Sequence, residues 1–195
     1  PTPTPTPTIQ FEDIKTHWAK DRILALVDRG IIQGFPDGTF KPDGSVTRAE
    51  FASILVKAFP SLSSSAQINF IDVPPNFWAR RAIELVCGSG LMIGISGNQF
   101  TPDANMTRLQ TAIVLINALL KQQKPLPKPD RTHLRFFTDL KTPDGKSLGE
   151  GVLDRLTIAA QLKIVTPPTK PDRFLPHNPV TRAQVAAMLF QTLSV

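Results

Sequence analysis

One cysteine, three histidines and no long apolar run set the first limits on this 195-residue chain. Cys87 stands alone, which excludes an intramolecular disulfide and a multi-cysteine zinc site. His17, His133 and His177 are too far apart in sequence to suggest a compact histidine metal cluster, and no metal or cofactor is expected. No apolar stretch approaches the roughly 18 residues of a membrane-spanning helix. No basic-then-apolar leader opens the chain, so a signal peptide is not expected. A start in alternating Pro and Thr reads as part of something longer. What is there is globular: 41% hydrophobic residues with 11 glycines is a normal folded composition, and the length suits one domain or two small ones. Charge is lopsided. With 22 Lys and Arg against 16 Asp and Glu, the net charge is +6 and the pI is near 9.8. That surplus favours an anionic partner: a nucleic acid, an acidic polysaccharide or a membrane surface.

Residues 1–9 form a Pro/Thr linker, expected to be an extended spacer because proline removes N–H donors and fixes φ. A long-period repeat follows. Phe11-x-Asp13 lies over Phe70-x-Asp72, Trp18-Ala19 over Trp78-Ala79, and Gly30 and Gly34 over Gly90 and Gly94. Phe40 lies over Phe100, and Thr47-Arg48 over Thr107-Arg108, at an offset of 59 that becomes 60. A worn third copy keeps Phe137-x-Asp139, Phe174-x-Pro176 and Thr181-Arg182. The units divide as repeat 1 over 10–60, repeat 2 over 61–121 and repeat 3 over 122–195, the last with an insertion near 141–149.

Each copy reads as helix, loop, helix. The first helix is expected over about 18–29, with Ile23, Leu26 and Val27 on one face. Ile83, Val86 and Cys87 take those places in repeat 2, and Leu156, Ala159 and Ala160 in repeat 3, which makes Cys87 a buried small hydrophobe. Gly30 and Gly90 fall where a helix needs a left-handed residue after its end. Three capping boxes, Thr47-x-x-Glu50, Thr107-x-x-Gln110 and Thr181-x-x-Gln184, then open second helices that are apolar nearly all round. The fold class expected is mainly α, with these three helices meeting in a central bundle. The basic stretch at 121–135 reads as a solvated connector or as a patch for anions.

These motifs resemble the S-layer homology (SLH) family over nearly everything after residue 9. Phe-x-Asp, His-Trp-Ala, Gly-Ile-Ile-x-Gly-x-Pro-Asp-Gly-Thr-Phe and Val-Thr-Arg-Ala-Glu-Phe all stand in residues 11–51. The resemblance implies three tandem repeats in a pseudo-threefold helical unit that anchors a surface or envelope protein to the bacterial cell wall, outside the cell. It implies as ligand an anionic, often pyruvylated, wall-linked polysaccharide or peptidoglycan-linked glycan, held in grooves between repeats. The binding residues it implies are Arg48, Arg108 and Arg182; Asp13, Asp72 and Asp139; Trp18 and Trp78; and Gly30, Gly34, Gly90 and Gly94. Repeat 3 departs from the pattern: it lacks the Trp, and Lys-Ile-Val-Thr-Pro-Pro at 163–168 replaces the glycine loop. On that basis Arg48 and Arg108 are expected to matter more for binding than Arg182.

The residues also carry readings of their own. Each motif arginine follows an N-cap directly, at the positive end of a helix, where a cation is unfavourable by up to about 1 kcal/mol. Its recurrence there suggests either a fork for a ligand carboxylate or an internal salt bridge to the Phe-x-Asp carboxylate. Trp18 and Trp78 read as core anchors of an amphipathic helix or as exposed rings for sugar stacking. Asp13 and Asp72 read as caps for the first helix or its preceding turn, or as sugar contacts, and His17 as a local turn residue. No Ser-His-Asp or Cys-His set appears, and the equivalently placed Asp13, Asp72 and Asp139 make no carboxylate pair for glycan hydrolysis. Asp37-Gly38 and Asp43-Gly44 hint at a calcium loop, but their spacing fails the EF-hand pattern. A non-catalytic module for an anionic wall glycan leads. A basic helical nucleic-acid-binding module is the alternative, against which stands the lack of a basic recognition face or aromatic platform.

Overall fold

The computed structural model describes residues 11–66, 68–95, 97–165 and 173–195. The Pro/Thr linker and residues 166–168 of the divergent loop lie outside them. The chain is mainly α-helical: α1 (Lys20–Asp28) and α2 (Arg48–Ala58) in repeat 1, α3 (Arg80–Gly88) and α4 (Arg108–Lys121) in repeat 2, α5 (Glu150–Gln161) and α6 (Arg182–Thr192) in repeat 3. Short 3-10 turns at Glu12–Ile14 and Arg131–Leu134 precede α1 and α5. Among the described residues, β pairing is confined to isolated bridges.

All three capping boxes are formed. Thr47, Thr107 and Thr181 each accept from the amide three residues on, at 3.2 Å, and their own amides donate back to Glu50, Gln110 and Gln184. Each such cap contributes about 1 kcal/mol. The first helices begin two residues later than the sequence suggests. Ala19 is the N-cap residue of α1, and its amide donates to Nδ1 of His17 at 3.2 Å, so His17 serves the turn before the helix. The ends are alike in all three copies: Gly30, Gly90 and Lys163 take left-handed φ values of 68°, 77° and 58°. The amides of Ile31, Leu91 and Ile164 reach back to Leu26, Val86 and Ala159, the bond that closes a Schellman motif.

The repeats interlock in sequence order. The second helix of each repeat packs on the first helix of the next: α2 on α3, α4 on α5, and α6 back on α1. Of the three capped helices, α4 and α6 also pair directly. The core runs through all three repeats and includes Ile23, Leu26, Phe51, Leu55, Ile83, Leu115, Leu156 and Leu189, none of them measurably exposed. Each large apolar side chain so buried contributes about 1.5–3 kcal/mol. Cys87 departs from expectation: it is half-buried near Arg48, and burial pushes its thiol up to about 11. Ala160 is likewise only partly covered.

Backbone hydrogen bonds close the same ring. Met106 donates to the Val46 carbonyl at 2.9 Å, Val180 to Met106 at 2.8 Å, and Val46 to Val180 at 3.2 Å. Two residues further on, the amides of Arg48, Arg108 and Arg182 donate to Ala104, Asn178 and Gly44, and those of Ala49, Leu109 and Ala183 to Pro102, Pro176 and Pro42. The first two amides of every capped helix are therefore taken by the loop of the next repeat.

Candidate functional site

The three motif arginines point out of their own repeats. Arg48 donates through Nε to the Phe100 carbonyl and through Nη2 to Ile93, both at 2.7 Å. Arg182 does the same to Phe40 at 2.8 Å and Gln33 at 2.7 Å. Arg108 donates through Nε to Phe174 at 2.8 Å. Each guanidinium also lies over the ring of the phenylalanine it bonds, at 4.4 Å for Phe100, 5.1 Å for Phe174 and 4.5 Å for Phe40. A cation over a ring face gains further attraction. Burial depresses the pKa of all three arginines from its ordinary value, and Arg48 is only 7% exposed.

The Phe-x-Asp carboxylates hold the other side of the same peptides. Asp13 accepts from Phe40 and Lys41, Asp72 from Phe100 and Thr101, and Asp139 from Phe174 and Leu175, at 2.6 to 3.1 Å. Lys41, Thr101 and Leu175 are each left-handed, with φ of 56°, 55° and 57°. Such a conformation costs a non-glycine residue about 1–2 kcal/mol, and the charged carboxylate supplies the offset. Each phenylalanine is thus gripped at its N–H by the Asp of its own repeat and at its carbonyl by the Arg of the preceding one. The internal salt bridge read from sequence is not formed among the described residues: each Arg meets the Asp across a peptide, with Nε in all three copies and Nη2 of Arg48 and Arg182 donating to protein carbonyls. Nor do the aspartates cap the first helix. Replacing Asp72 with Ala leaves two amides and a left-handed Thr101 unsupported. It should destabilise the fold by about 2–4 kcal/mol, read by urea unfolding; an unchanged midpoint would refute the role.

Gly34 and Gly94 are demanded by close approach. A Cβ on either would run into the ring of Phe11 or Phe70 and the carbonyl of Thr39 or Gln99. Gly30 and Gly90 face open space and are needed for their left-handed φ.

Trp18 and Trp78 are not core anchors. They are 61% and 65% exposed, because each helix begins two residues later and the indole precedes its apolar face. Two of the grooves between repeats are bordered by motif arginines. The first, about 250 Å³, is bordered by Arg48 with Gly90, Ile93, Gln110, Ile113 and Asn117 of repeat 2. The second, about 90 Å³, joins Trp18 and Arg22 of repeat 1, Arg108 of repeat 2, and Lys163, Gln184 and Gln191 of repeat 3. The sequence pairs each arginine with its own loop and so ranks Arg182 lowest. The structure puts Arg182 against the complete repeat 1 loop, and Arg108 against the divergent loop of repeat 3. Nothing in the sequence marks a bond to a backbone carbonyl, although the joint recurrence of Phe, Asp and Arg in all three copies signals coupling.

The described residues include no group of three or more His, Cys, Asp or Glu able to hold a metal, and no helix among them is long and apolar enough to cross a membrane. The connector at 121–135 is largely exposed, with Arg131 paired to Glu150 at 2.9 Å and Asp154 at 2.5 Å.

Comparison with known proteins agrees with the repeat pattern. The chain is 29% identical over 187 residues to Exoglucanase XynX of Acetivibrio thermocellus, covering 95% of this chain and 16% of that protein. It is 35% identical over 133 residues to an S-layer protein of Bacillus licheniformis, covering 67% of this chain and 15% of the relative. To a cellulosome-anchoring protein of Acetivibrio thermocellus it is 33% identical over 120 residues, covering 59% and 27%. The chain therefore spans about a quarter or less of these relatives. Residues 10–52, 70–112 and 154–186 match the S-layer homology domain, together more than half the chain, and the three matches fall on the three interlocked repeats. The chain belongs to the S-layer homology domain family.

Proposed function

We propose that this chain is a non-catalytic module that anchors a larger envelope protein to the bacterial cell wall by binding an anionic wall-linked polysaccharide. The observation that carries the reading is the pair of inter-repeat grooves, each bordered by a motif arginine, with an exposed Trp18 ring walling one of them. A flat indole face suits a sugar ring, and a cation beside it suits an acidic substituent. Relatives named as an S-layer protein and as a cellulosome-anchoring protein support a place at the cell surface. The whole-protein activity named for the exoglucanase lies in a relative of which this chain covers 16%. A pyruvate ketal is one acidic substituent this reading accommodates.

The test is co-sedimentation with purified wall sacculi, before and after chemical removal of the acidic polymer. Binding should depend on the polymer and weaken with salt, since its ionic part is screened. Trp18→Ala should lower affinity about tenfold or more without lowering Tm, as stacking of this kind contributes about 1–3 kcal/mol in other ring-on-ring sites. Tight binding to duplex DNA without wall binding would overturn the proposal in favour of a nucleic-acid partner.

A further inference from the structure

The two grooves differ in a way the repeat pattern does not require. At the position after the first helix, repeats 1 and 2 carry Gly30 and Gly90, the residue type that adopts a left-handed φ freely. Repeat 3 carries Lys163 at φ 58°. A lysine there costs stability that glycine would not, and an outlier of this kind points to a use. A Cβ at Gly30 or Gly90 would meet nothing within 4 Å, so a side chain at this place leaves the packed surface. In repeat 3 it borders the small groove with Arg22 and Arg108.

Three repeats thus give one cation each to a single groove, and no acidic residue lines it among the described residues. Among the described residues the carboxylate that acts on Arg108 is Asp139, whose two oxygens accept from Phe174 and Leu175. The side chains of Arg22 and Lys163 have no hydrogen-bond or ion-pair partner among the described residues. Repeat 3 also carries most of the surplus charge, with 11 Lys and Arg against 6 Asp and Glu over 122–195. The Arg48 groove has one cation and a largely apolar wall of Leu91, Met92, Ile93, Ile113 and Val114. At about 90 Å³ the cationic groove has the volume of about three waters. That admits a charged substituent but not a sugar ring, which would rest on Trp18 at the rim.

We propose that Lys163, Arg22 and Arg108 form a dianion site, selecting a phosphate-type substituent on the wall glycan over a lone carboxylate. The proposal rests on the wall-glycan reading for the source of the ligand. One carboxylate would leave two of the three cations uncompensated, whereas a phosphate monoester carries close to two charges at neutral pH and three acceptor oxygens for an Arg fork and a Lys point charge.

The experiment uses the full chain carrying Trp78→Phe, so that Trp18 in the groove is the sole indole. Its fluorescence is titrated with inorganic phosphate above pH 7, with acetate as the monoanion, at constant ionic strength. Expected is a saturable response to phosphate, tighter than to acetate, that weakens at least about tenfold on Lys163→Gly. Lys163→Gly should at the same time melt at or above the parent temperature, since it removes a strained residue; Lys163→Arg should retain the phosphate response. No saturable response to phosphate, equal or tighter acetate binding, or unchanged phosphate affinity in Lys163→Gly overturns the site. Sacculus binding is measured beside it. Loss of the phosphate preference with wall binding intact rejects this inference and spares the anchoring function, and phosphate selectivity without wall binding rejects the anchoring function instead.

Discussion

Ending the chain after Lys121 should leave residues 11–121 without a cooperative unfolding transition. The cut removes α5 and α6, and with them the partners of α4 and of α1. It also opens the backbone ring, because Val180 both donates to Met106 and accepts from Val46. The helices left without those partners carry Ile23, Leu26, Leu115 and Leu119, at most 1% exposed in the whole chain. Exposing four such side chains at about 1.5–3 kcal/mol each costs about as much as the 5–15 kcal/mol by which a typical domain is stable. Calorimetry and near-ultraviolet circular dichroism would read the loss. A truncated chain that melts as sharply and as hot as the full one would mean the repeats fold separately.

Arg48→Ala should be the most damaging single substitution among the motif residues, at about 3–5 kcal/mol. It removes two charge-assisted hydrogen bonds, at about 1.5–3 kcal/mol each, and leaves the Phe100 and Ile93 carbonyls without those donors. Arg48→Lys keeps the charge but cannot serve both carbonyls and the Phe100 ring at once. It should cost about 2–3 kcal/mol, or about 4–12 °C in Tm for a chain of this size. An arginine held chiefly for a ligand carboxylate would show the opposite weighting, with lysine harming binding more than folding. Wall affinity and Tm measured together on Arg48→Lys decide it. Affinity lost at unchanged Tm would return the arginine to the ligand.

What was legible in the sequence is local. Thr-x-x-Glu and Thr-x-x-Gln place the N-terminus of a helix within four residues, and all three capping boxes formed. Gly30 and Gly90 announced the ends of α1 and α3 for the same reason. What was not legible is long-range and falls on backbone. A carbonyl has no sequence identity, so Arg48 gives no sign that it reaches 45 and 52 positions ahead. Reading each arginine within its own repeat ranked Arg182 lowest, when it serves the complete loop of repeat 1. Of the two readings of the tryptophans, the core anchor fails on a boundary of two residues, which moves Trp18 and Trp78 off the buried face. Lys163 was visible as a departure from the pattern, but only its left-handed φ shows that it fills the role of Gly90 and lends the groove a charge.

The closed ring also has a consequence in time. Arg182 bonds to Phe40 and Gln33, 142 and 149 positions earlier in the chain. During synthesis repeat 1 must wait, with α1 bare on one side, until α6 has been made. Closure over so long a span carries a large entropic cost before any contact rewards it, and contacts of this separation fold slowly. The half-made chain therefore presents apolar helices to its surroundings for the whole of that interval, and its hazard is association with other nascent copies rather than loss of the finished fold.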